Sequence, residues 1–112
     1  MKFLIWNSYN LSLARDMEQK KIPKGTKLPV RLTIRERDLI RDETFYNPDF
    51  AQLAIAVGKG IRVDLTLNEI EEIQGFVAAE ANHTKNLKLQ KELDRLYDKL
   101  QVYLDTYDDQ DE

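Results

Sequence analysis

The sequence predicts a mainly α domain, a small bundle of four or five helices. Three observations predict it. A short strand-to-helix unit occurs twice with the same helix-start chemistry. A long amphipathic stretch lies near the C-terminal end. The composition, 42% hydrophobic and 33% charged over 112 residues, suits helices packed on one face in a single core.

The duplication is read at an offset of 33 residues, Val30 to Ile40 against Val63 to Ile73. Both segments read V-x-L-T-[IL]-x-E-x-x-x-I. Each opens on an alternating Val and Leu, a stub short enough for a brief strand. Each continues with Thr followed three residues later by Glu, Thr33 with Glu36 and Thr66 with Glu69. In that capping box the hydroxyl accepts from a free amide of the first turn, and the carboxylate accepts from the amide of the Thr. Helices are therefore expected from Ile34 and from Leu67. Equivalent stubs before equivalent helices can pair about a pseudo-twofold axis as a minimal two-stranded β-ribbon.

The other elements follow in chain order. Residues 2–13 hold Phe3, Leu4, Ile5, Trp6, Tyr9, Leu11 and Leu13 and fit strand or helix; Ser12 to Lys21 reads as helical, and residues 1–21 form an N-terminal arm. Residues 22–29, with Pro23, Gly25 and Pro29, read as a loop. Asn47-Pro48-Asp49 is a helix start, and Phe50 to Val57 is expected as a short buried helix ended by Gly58 and Gly60. After Leu67, the residues Ile70, Ile73, Val77 and Ala81 keep helical spacing as far as a break at His83-Thr84. The last helix carries Leu89, Leu93, Leu96, Tyr97, Leu100, Tyr103 and Leu104 on one stripe. Residues 30–104 thus form the duplicated helical module, and 105–112 an acidic tail expected to be disordered.

Composition narrows the function classes. The chain has no cysteine, which removes disulfides and thiolate chemistry and favours a cytoplasmic home. No apolar run approaches the roughly 20 residues a bilayer requires, so no membrane role is expected. The run Phe3 to Trp6 stops at Asn7-Ser8, too early for a secretory leader. Charge is lopsided. Residues 1–41 carry ten Lys and Arg against four Asp and Glu, a net of +6; residues 42–112 carry seven against sixteen, a net of −9. Either the two halves face each other or one of them faces a charged partner.

Catalytic constellations are scarce. His83 is the one histidine, and Glu80 precedes it by three. Glu-x-x-His is half of a di-iron carboxylate site, which needs a second such pair. The preferred reading is that Asn82-His83-Thr84 closes a helix, where His favours the negative end of the dipole. Ser8 and Ser12 are the only serines and sit in no nucleophile turn; Gly58-Lys59-Gly60 is too short to cradle phosphate. Glu69, Glu71 and Glu72 read as a solvated helix face. No catalytic residue, metal site or cofactor is expected.

The run from Leu28 to about Leu104 resembles the helical module of the Ri-plasmid open-reading-frame-like family. The matching residues are Leu32-Thr33 with Arg37, then Leu65-Thr66-Leu67 with Glu69, then the final amphipathic helix. That family has no established activity, so the resemblance implies a helical module and carries over no catalytic residue.

Two binding surfaces remain. The stripe of the last helix, Leu89 through Leu104, is the candidate surface for another protein or a second copy of the chain. The alternative is nucleic-acid binding by Lys20, Lys21, Lys24, Lys27, Arg31, Arg35, Arg37 and Arg41, eight cations within 22 residues. The pI of about 5.2, and Asp38, Asp42 and Glu43 among the cations, weigh against it. A non-catalytic helical interaction module is the expected function.

Overall fold

The computed structural model describes residues 19–110. The chain runs β1 (Lys20–Pro23), β2 (Leu28–Leu32), α1 (Ile34–Glu43), a 3-10 helix (Pro48–Leu53), β3 (Ile55–Val57), β4 (Gly60–Leu65), α2 (Leu67–His83), α3 (Leu87–Thr106) and β5 (Tyr107–Gln110). The mainly α expectation is corrected. Helix takes 58% and strand 24% of the described residues, and the strands form two sheets, so this is an α/β protein and not an all-α helical bundle.

The duplicated stubs pair antiparallel, and the register centres on equivalent residues. Val30 lies opposite Val63, flanked by Leu28 with Leu65 and Leu32 with Ile61. These six side chains alternate inward and are buried, which is the period-2 pattern of a sheet covered on one face. The sheet has three strands, in the order β2-β4-β3. The run expected as a helix from Phe50 to Val57 divides: the 3-10 turn buries Phe50, and Ile55-Ala56-Val57 joins β4. A short apolar run with β-branched ends is ambiguous in period, and the adjacent turn decided it. That turn is Gly58-Lys59, with positive φ only at Gly58, as a type II′ hairpin requires. Gly60 is needed for a different reason, because a β carbon there would stand 2.8 Å from the Leu32 carbonyl oxygen.

Both helices after the stubs start where the capping boxes place them. Thr33 Oγ1 accepts from Glu36 N at 3.0 Å, and Thr66 Oγ1 accepts from Glu69 N at 3.1 Å. The return bonds, Thr33 N to Glu36 Oε1 and Thr66 N to Glu69 Oε1, are 2.8 and 2.9 Å. α2 ends at His83, and Asn86 caps α3 by accepting from Lys88 N and Leu89 N. The two helices pack as a hairpin. Between them Gln74, only 6% exposed, donates to Gln101 Oε1 at 2.8 Å and to the Tyr97 carbonyl at 3.3 Å. These two bonds satisfy the buried NH2 group and tie the helices in register.

The ends of the described chain meet in a second sheet. β1 and β5 pair in parallel, Lys20 opposite Tyr107 and Lys21 opposite Asp108. Of the acidic segment 105–112 expected to be disordered, residues 105–106 end α3 and Tyr107–Gln110 is strand, while 111–112 lie outside the described residues. Ile22 and Tyr107 pack against the core, and Gln19 donates to the carbonyls of Leu104 and Tyr107 where α3 ends. The expected 22–29 loop shrinks accordingly to residues 24–27, since Lys20–Pro23 is strand. The expectation for residues 2–13 lies outside the described residues, as does most of the helix expected from Ser12 to Lys21; its end, Lys20 and Lys21, is strand instead.

Candidate interaction surface

The stripe of α3 is spent inside the molecule. Leu93, Leu96 and Leu100 are fully buried, and Leu89, Tyr103 and Leu104 pack partly against the same core. Tyr97 alone is exposed. The Tyr103 hydroxyl accepts from Arg31 N at 3.1 Å, so α3 also closes an edge of the sheet. Pro29 has no amide to offer on that same edge, so β2 is poorly suited to recruit another strand.

Four of the eight basic residues meet carboxylates. Lys27 meets Glu69 at 3.3 Å, and Arg35 holds Glu92 in a two-pronged pair at 2.9 and 3.0 Å. Arg37 and Arg41 both reach Asp38, and Arg41 also meets Asp42 at 2.8 Å. Lys99 returns the pattern from α3 onto Glu36 at 2.7 Å. Lys24 joins β5 through its backbone amide to the Gln110 carbonyl. Lys20, Lys21 and Arg31 are exposed and make no side-chain ion pair among the described residues.

These pairs set the titration of their members. The hydrogen bond from Arg35 holds the Glu92 carboxyl below its usual range, and the bond from Arg41 does the same for Asp42. Burial alone would raise Glu69. The Thr66 amide and the Lys27 ammonium outweigh it, and the group sits below its usual value.

Of the exposed large apolar side chains among the described residues, the most exposed is Phe45, in the connection that follows α1. Thr44 ends that helix: its hydroxyl donates to the Ile40 carbonyl at 2.7 Å and accepts from Tyr46 N at 3.2 Å. Asn47 then accepts from Asp49 N and starts the 3-10 turn. The four-residue connection 44–47 is thus pinned at both ends, and within it Phe45 is 90% exposed. Its neighbour Tyr46 turns inward, edge-on to buried Phe50 at 5.7 Å and tilted over Phe76 at 6.0 Å. An aromatic chain thus runs from the core to the surface, in the edge and tilted geometries aromatic pairs prefer.

Phe45 and Phe76 line a cavity of about 400 Å³ with Ala79, Glu80 and His83. Phe76, Ala79, Glu80 and His83 recur at helical spacing on one face of α2. The lining is mainly apolar, and the Glu80 carboxylate makes no ion pair among the described residues. The Tyr46 phenol is raised above its usual value by burial first, then by the negative charges of Glu69 and Glu72. Two carboxylates of α2 thus act on the Tyr46 ring.

His83 closes α2, with the Thr84 amide bonded to the Glu80 carbonyl at 2.9 Å. Glu80 and His83 thus meet at an aromatic recess rather than in a polar pocket. Among the described residues no group of three or more His, Asp or Glu is placed to hold a metal ion, and no helix is long and apolar enough to cross a membrane. Sequence reasoning did not single out Phe45, Tyr46 or Phe76. The available signal was the Phe-Tyr pair between a helix-ending Thr and the Asn-Pro start, where one of two adjacent aromatics has to face outward.

No protein-family model, curated protein or solved structure matches the chain. The resemblance drawn from Leu32-Thr33 and Leu65-Thr66-Leu67 therefore rests on those residues alone.

Proposed function

We propose that this protein is a non-catalytic interaction module that docks a protein partner on the aromatic surface of Phe45 and Phe76. The single observation that carries the reading is Phe45. Phe45 is 90% exposed and adjoins Phe76 across a mainly apolar recess, and a contiguous apolar patch of that kind marks an interaction site. The α3 stripe is a weaker candidate, because its leucines already close the monomer. A cytoplasmic setting, suggested by the cysteine-free composition, belongs to the same proposal.

The alternative, nucleic-acid binding through residues 20–41, draws less support. Lys27, Arg35, Arg37 and Arg41 already sit on carboxylates, and phosphate would have to displace them.

A photo-crosslinking residue placed at position 45 tests the reading in the native host. A discrete adduct is expected that is absent with the crosslinker at Val102, which is 56% exposed on α3. Excess unlabelled wild-type protein should compete for it and excess F45A should not. An adduct of twice the chain mass would identify the partner as a second copy. Equal labelling from both positions, or equal competition by F45A, would overturn the reading.

A further inference from the structure

We infer that the partner presents a cationic side chain, arginine or lysine, which seats in the recess between Phe45, Phe76 and Glu80. The inference rests on the docking surface proposed above and names the chemistry of its occupant. Three observations lead to it. The recess has two aromatic walls, Phe45 from the loop after α1 and Phe76 from α2, and a floor kept low by Ala79. A benzene ring carries negative charge on its face, so a cation held over it is attracted, and an apolar stem packs on the same surface. The third wall is a carboxylate, Glu80, that no cation of the described chain neutralises. That contrasts with Glu36, Glu69 and Glu92, each of which meets a Lys or Arg.

The surrounding charge has the same sign. Glu72, and Glu69 beside its Lys27 partner, act on the Tyr46 ring that lies tilted against Phe76. A cation seated here therefore has two aromatic rings and the Glu80 carboxylate for neighbours, with His83 at the helix end as the one basic group of the lining. The cavity of about 400 Å³ accommodates one guanidinium or ammonium with its methylene stem.

Titration of the isotopically labelled full chain tests this, with three short Gly-Ser peptides read by NMR. They carry a central arginine, lysine or norleucine, the last an uncharged stem of similar length. Expected are saturable shifts at Phe45, Phe76 and Ala79 with the arginine and lysine peptides, and binding about three- to ten-fold weaker with norleucine. The preference should shrink as salt rises from about 50 to 500 mM. E80Q should cut affinity for the charged peptides several-fold and leave norleucine unchanged. F45L keeps an apolar wall but removes the ring face, so it too should lower the charged peptides selectively. Each variant is surface-sited, and an unchanged amide spectrum outside the recess confirms its fold. Equal binding of norleucine and arginine overturns the cationic occupant while leaving the docking surface in place. Shifts from the charged peptides confined to residues outside the recess overturn the inference too, and position-45 crosslinking then decides the docking reading separately.

Discussion

Single atoms decide several positions. At Gly60 the nearest obstacle to a β carbon is the backbone oxygen of Leu32, at 2.8 Å, and a backbone carbonyl in a ladder cannot swing aside. G60A should therefore lose roughly 1–3 kcal/mol in chemical denaturation. An unchanged midpoint would mean that the strand relaxes. The capping threonines make a smaller and more even claim. T33A and T66A should each lose about 1 kcal/mol, because each removes one hydrogen bond to a first-turn amide. Acid acts through the carboxylates. Asp42, Glu69 and Glu92 are depressed in the folded chain. What they add to stability is complete above the unfolded carboxylate range, about pH 4–5, and is lost as pH falls through their lower folded values. E69Q retains an oxygen for the Thr66 amide but carries no charge. Its stability, measured by urea unfolding from pH ~2 to ~6, should fall less steeply in acid than the parent's. An identical slope would remove Glu69 from the acid response.

Among elements, what could be read locally was read closely. Helix starts at Ile34 and Leu67 follow from two four-residue patterns, and both boxes close with every bond in place. The α3 stripe also stands in the periodicity, and Leu93, Leu96 and Leu100 are wholly buried. The sheets were less legible because their rungs join residues far apart. Lys20 and Tyr107 pair across most of the chain, and no local pattern specifies a parallel partner. β3 shows the same limit at short range. Its three residues read as the end of a helix until the Gly58 turn lays them on β4. The aromatic surface escaped notice because amphipathic reasoning follows stripes, and Phe45 belongs to none. At the exposed edge of β2, Y103F should uncover the Arg31 amide. The expected cost is about 0.5–1.5 kcal/mol, together with faster hydrogen exchange at that amide. Unaltered exchange would show the hydroxyl to be incidental.

Across the whole molecule, the lopsided charge is met in part internally. Lys27, Arg35 and Lys99 reach from one half of the chain to the other, onto Glu69, Glu92 and Glu36. Anisotropy titrations of single-stranded and duplex DNA and RNA at about 50 and 200 mM salt should accordingly show no steep salt-dependent binding. Tight binding lost on mutating Lys20, Lys21 and Arg31 together would reverse that conclusion and return the basic segment to a functional role. The parallel ribbon has a mechanical consequence. Tension applied ahead of Lys20 and beyond Gln110 pulls β1 and β5 in opposite directions along their length. The rungs then share the load in shear and must yield together, whereas a hairpin pulled from its open end peels one bond at a time. Held by its two ends, the fold should resist stretching at the ribbon first and give way in a single step.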